Sequence, residues 1–160
     1  GVYETDEQRA AAESAAAAVD AMIELVQVEA SEPGPQAEPS AIEDDLNRVV
    51  ADTPILFEPA SDELADSAAP VLDQLASRLT GLTGVAVTVE GHTDSDGSAA
   101  ANQVLSLDRA TAVVAALVEL GVAAELLTPE GFGESELVVV GGVEDKAASR
   151  RVEFRVVATP

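Results

Sequence analysis

Cysteine is absent from this chain, and aromatic residues are limited to Tyr3, Phe57, Phe132 and Phe154. The first absence excludes disulfides, thiol catalysis and cysteine-ligated metal sites, and is compatible with an oxidising exterior. The second leaves a core built mainly from alanine and valine, in which the few large side chains carry disproportionate weight. No stretch approaches the roughly 20 apolar residues needed to cross a bilayer. The start at Gly1 lacks a charged, then apolar, leader with a cleavage site, so no signal peptide is visible. The chain therefore reads as a mature or excised portion, and that absence does not argue for cytoplasm. Positive charge is also scarce: 8 Lys and Arg against 30 Asp and Glu give a net charge of −22. Such a surface repels phosphate backbones and anionic headgroups, which makes nucleic acid and membrane surfaces poor partners. Half of the basic residues, Lys146, Arg150, Arg151 and Arg155, cluster near the C-terminus, and Arg109 stands alone among acids and alanines.

Three segments are expected. Thr5-Asp6-Glu7-Gln8 has the form of a capping box and opens an alanine-rich helix over about 6–21. A short strand follows near 23–29, so residues 1–30 read as the stub of an upstream α/β module. Residues 31–40 hold three prolines and read as a linker. The main domain then spans 41–160. Ser40 is placed as the cap of a helix carrying Ile42, Leu46, Val49 and Val50 on one face. Pro54-Ile55-Leu56-Phe57 reads as a strand and Glu58-Pro59-Ala60-Ser61 as a turn, followed by a helix over about 69–80. A strand over 85–90 leads into a polar loop. Ser106 resembles the cap of the next helix, which Gly121 ends. A strand at 128–133, a loop over about 134–148 and an alternating strand at 151–157 complete the chain. The order β-α-β-α-β-β, with helices on one face of a mixed sheet, is an α+β two-layer sandwich.

The chemistry concentrates around Gly91-His92-Thr93-Asp94-Ser95-Asp96-Gly97. An EF-hand alignment that puts Gly97 at position 6 places His92 and Gln103 at the ligand positions 1 and 12, where both are poor calcium ligands, so no metal is expected. No Gly-x-Ser-x-Gly elbow occurs. The single histidine, His92, fits a packing role at a strand end, and Asp94 and Asp96 lie too close in sequence to flank a substrate. Catalysis is therefore not expected. Binding remains: Asp94 just past the strand and Arg109 in the first turn of the following helix share one sheet edge. The plain alternative is that Asp94 and Arg109 form an ion pair bracing the loop while Asn102 caps a turn.

The polar positions carry a resemblance. Gly91-His92-Thr93-Asp94, Gly97, Asn102, Leu105-Ser106, Arg109-Ala110, Gly121, Gly131-Phe132-Gly133 and Arg150-Arg151-Val152-Glu153 are similar, in order and spacing, to the signature of the OmpA-like peptidoglycan-binding domain, over about 50–158. The resemblance implies non-covalent binding of peptidoglycan through meso-diaminopimelate of the stem peptide, with no cofactor. It also implies a place in the cell envelope, on the periplasmic or cell-wall side of a membrane. By motif position, Asp94 would take the ligand ammonium and Arg109 its carboxylate, with Asn102, Thr93 and Ser95 completing the site. Ser149 stands where the family commonly has asparagine, so of Arg150 and Arg151 one is expected to brace the site and the other to face solvent; Glu58 is a possible rim residue. The front segment is similar to the tail of a BON-type α/β module. The alternative reading is a protein–protein or self-assembly module on the same fold without wall binding; a hydrolase using Asp94 or Asp96 is the more distant rival.

Overall fold

A computed structural model describes residues 38–160. The helix and strand expected before residue 31, and most of the linker, lie outside the described residues. Helix α1 (Pro39–Asp52) begins with Pro39 in its first turn, where a missing N–H costs nothing. Ser40 is therefore inside the helix and not its cap: the capping position is Glu38, with no side-chain cap bond. Helix α2 (Ala69–Leu79) follows a 3-10 turn at Asp66–Ala68 and likewise carries a proline, Pro70, in its first turn. Strand β1 (Val85–His92) leads to helix α3 (Ala99–Glu119), and a second 3-10 turn at Ala124–Leu126 leads to β2 (Leu127–Gly133). A hairpin of β3 (Val139–Val140) and β4 (Val143–Glu144), a single turn α4 (Lys146–Ser149) and strand β5 (Val152–Ala158) finish the chain.

The main sheet has the order β2-β1-β5, with β1 parallel to β2 and antiparallel to β5. Val87 and Val89 of β1, with Val152, Phe154 and Val156 of β5, face the helices and join Leu46, Leu75, Leu79, Val113 and Leu117 in one core. The mixed sheet and helical layer are those expected, but the first strand is not in the sheet. Around Pro54–Phe57 the only pairing among the described residues is an isolated bridge from Phe57 to Leu64. The physical reason lies at the outer edge of β5. Asn47 of α1 accepts from Phe154 N and donates to Phe154 O, both at 2.8 Å, and Glu43 accepts from Val156 N at 2.8 Å. Helix α1 thus satisfies the edge that a further strand would have used, which is one way proteins protect a sheet edge.

A third correction is the start of α3. Ser98, whose Oγ accepts from Ala101 N at 3.2 Å, is the cap, and Ser106 lies two turns inside. Ser106 is fully buried; its hydroxyl donates to Gln103 O and accepts from Gly133 N, both at 2.9 Å, tying α3 to the end of β2. This close approach needs glycine: a Cβ on Gly91 would lie 2.1 Å from Ser106 O, and one on Gly131 2.6 Å from Leu107 N. The helix ends as expected, at Gly121 with φ of 100°.

Candidate functional site

The site forms where the C-terminal ends of β1 and β2 meet the first turns of α3. The loop after β1 is held from two sides. From α3, the Asn102 side-chain amide donates to Asp94 O (3.2 Å), Asp96 O (3.1 Å) and Glu134 Oε2 (2.7 Å). From the C-terminal segment, Glu144 accepts from Ser95 N at 2.9 Å and from the Ser95 hydroxyl, Lys146 bonds Asp96, and Arg150 Nη1 reaches Asp94 Oδ2 at 2.5 Å. Three successive loop residues are thus clasped by 144–150.

Asp94 is consequently not paired with Arg109, which corrects the ion pair expected as the plain alternative; its partner is Arg150. Burial pushes the Asp94 carboxyl up, but the Arg150 hydrogen bond, the Asp96 N–H and the charges of Arg150 and Lys146 together hold it below its ordinary value. Arg109 sits in the third turn of α3, not the first. Its Nε donates to Ser61 O at 3.0 Å, and its guanidinium carbon lies 5.0 Å from the centre of the Phe57 ring, a cation–π contact. Burial and the nearby Arg150 push its pKa down, while Asp94 and Asp62 push it up. Among the described residues, no hydrogen bond engages its two terminal nitrogens, so half of its planar fork is open to a ligand.

Arg109 and Arg150 line one cleft of about 300 Å³. Its other walls are Pro54–Phe57, His92, Ala147 and Arg151. The displaced first strand therefore serves as a wall of the cleft. Other predicted site residues have different roles. Asn102 is buried and has its amide committed to the loop, so it positions the site. Thr93 is buried, its N–H bonded to Gly133 O at 2.9 Å and its hydroxyl without a partner among the described residues. Ser95 is engaged by Glu144. Arg151 donates to Glu153 Oε1 (2.6 Å) and Glu136 O (3.0 Å), so both arginines are braced and neither simply faces solvent. Ser149 is buried and accepts from Val138 N at 2.9 Å, fixing the hairpin base in place of an amide. Glu58 is exposed and does not line the cleft. Missed in the sequence were Phe57, Glu144 and Lys146. Phe57 stood out as isolated in an aromatic-poor chain and Lys146 as a member of the C-terminal basic cluster, whereas Glu144, one of 30 acidic residues, offered no signal.

A family model described as "OmpA family" matches residues 56–151, more than half of the chain. The chain belongs to the OmpA family. Outer membrane protein Omp38 of Acinetobacter baumannii is 32% identical over 131 residues, which cover 80% of this chain and 36% of that protein. Peptidoglycan-binding protein ArfA of Mycobacterium bovis is 32% identical over 124 residues, 76% of this chain and 38% of that protein. The chain thus spans little more than a third of the length of these relatives. Among solved structures, the peptidoglycan-associated lipoprotein of Burkholderia pseudomallei superposes with a TM-score of 0.58 at 27% identity, covering 74% of this chain and 99% of that one. The α+β architecture is the one expected from the sequence, and it is shared with that lipoprotein, while Omp38 is by name an outer membrane protein. Among the described residues, no helix is long and apolar enough to cross a membrane.

Proposed function

We propose that this OmpA family domain binds peptidoglycan non-covalently, gripping the meso-diaminopimelate of the stem peptide at the cleft between Arg109 and Arg150 and anchoring the protein to the wall. The observation that carries this reading is the half-open guanidinium of Arg109 at the wall of a cleft whose acidic counterpart, Asp94, lies behind Arg150. A zwitterionic amino-acid end supplies both complements. Its carboxylate fits the planar fork of Arg109, and its ammonium exchanges for the guanidinium of Arg150 on Asp94. Arg150 is half exposed and Asp94 is not, so the arginine is the partner free to move outward. The names of two relatives support the ligand class, since one is called peptidoglycan-binding and one peptidoglycan-associated.

Pull-down with insoluble peptidoglycan tests the reading. Asp94→Ala and Arg109→Ala each remove a charge-assisted contact and are expected to weaken binding by about 10-fold or more. Unchanged retention in both variants contradicts it. The second reading, a protein–protein module, is favoured by the β3–β4 hairpin, which exposes Val139, Val140 and Val143. It predicts that even the wild-type chain ignores purified sacculi.

A further inference from the structure

The sheet face turned away from the helices carries a group of side chains that the loop clasp does not use. Along β1, Val87, Val89 and Gly91 face the helices, so Glu90 and His92 face the other way. The register sets Glu90 directly opposite Glu153 of β5. Like charges facing each other across an antiparallel pair are unfavourable, the more so here because Glu90 is only 3% exposed. Arginine relieves part of this: Arg155 Nε holds Glu90 Oε1 at 2.8 Å, and Arg151 Nε holds Glu153 Oε1 at 2.6 Å. The other oxygen of Glu153 lies 3.8 Å from His92 Nε2, beyond hydrogen-bond reach.

His92 is the unexplained member. Its side chain is fully buried, and neither ring nitrogen has a hydrogen-bond partner among the described residues. Its ring is stacked on Phe132 with centroids 5.3 Å apart, which fixes the plane of the imidazole. One ligand atom from each of Glu90, His92 and Glu153 lies within 4.8 Å of the other two.

We propose that Glu90, His92 and Glu153 form a binding site for a divalent first-row transition-metal ion. One imidazole with two carboxylates is a donor set suited to zinc and its neighbours, and the imidazole disfavours magnesium and calcium. A shell at about 2.1 Å puts tetrahedral ligands about 3.4 Å apart, so the three donors, now within 4.8 Å of one another, must draw in by about 1 Å on binding the ion. Arg155 and Arg151 take one oxygen of each carboxylate and leave the other for the ion, the outer support that metal carboxylates usually have. Burial, and next the charge of Arg151, hold His92 neutral, the form that can ligate. The donors come from two strands, with Glu153 more than 60 positions from Glu90 and His92 in sequence, so only the fold brings them together.

The test is calorimetric titration of the full chain with Zn²⁺ at neutral pH, alongside nitrogen NMR of the single imidazole. The expected result is one saturable site, a shift of one imidazole nitrogen on wild-type protein, and affinity at least about 10-fold weaker in Glu153→Gln and in His92→Gln. Mg²⁺ should reproduce neither effect. Glu153 is partly exposed, so its variant should keep the fold, which circular dichroism checks; the imidazole shift needs no variant. An unmoved imidazole resonance overturns the proposal. So does equal affinity in folded Glu153→Gln, which would mean adventitious cation binding to an acidic surface.

Discussion

Asn102 and Arg109 lie seven residues apart on one helix and were both expected at the ligand, yet their hydrogen bonds assign them different work. The Asn102 amide is shared among three acceptors around the loop, whereas the Arg109 fork is half open. Asn102→Ala should therefore cost about 2 kcal/mol or more in denaturant unfolding, because buried acceptors lose their donor, and binding should fall with stability. Arg109→Ala should lower ligand affinity with a much smaller loss of stability, since its own bond is one contact to Ser61 O. Two groups also set the acid limit. His92 is held below 6.5 by burial and by Arg151, so between that folded value and 6.5 the unfolded chain binds a proton that the native one does not. Stability should fall as pH drops below about 6.5, and His92→Gln should flatten that slope in urea titrations across pH. Asp94 has a folded pKa below its unfolded one. Its contribution is present above about 3.9 and is lost as pH falls through the folded value.

Helix α3 lies so near β1 and β2 that two glycines are compulsory where it crosses. Gly91→Ala would drive a Cβ to 2.1 Å from the Ser106 carbonyl oxygen, backbone against backbone, and should cost about 3 kcal/mol or more by thermal unfolding. At this scale the helices were legible, because the apolar spacing of Leu46, Val49, Val71, Leu75, Val113 and Leu117 matches one buried face each. The start of α3 was not: Ser98 and Ser106 both suit a cap, and only the tertiary use of the Ser106 hydroxyl, on Gly133 N, shows why it sits inside. Pro54–Phe57 has the composition of a strand, but the edge it would have joined is occupied by Asn47 and Glu43. Asp94, Arg109 and Arg150 were legible as a charged set through the family motif. The clasp was not, because Glu144, Lys146 and Arg150 meet their partners about 50 positions away.

The whole molecule carries −22, whereas its cleft is lined by three guanidinium groups, those of Arg109, Arg150 and Arg151, with the carboxylate of Asp94 paired to Arg150. Field and site should respond to salt in opposite directions. At 0.1 M the screening length is about 10 Å, which weakens the long-range repulsion between an acidic protein and an acidic wall. Adding salt from low ionic strength should therefore improve retention on sacculi, while affinity for free meso-diaminopimelate, which has no net charge at neutral pH, should fall modestly. Parallel sedimentation and calorimetry would separate the two. The most direct test is an NMR titration of the full chain with free meso-diaminopimelate, following the backbone amides of 91–109 and the Arg109 side-chain Nε–H, with lysine as the control. Saturable shifts at the loop and at Arg109 with meso-diaminopimelate, absent with lysine, are the predicted result. Equal responses to both ligands, or none at Arg109, would contradict it.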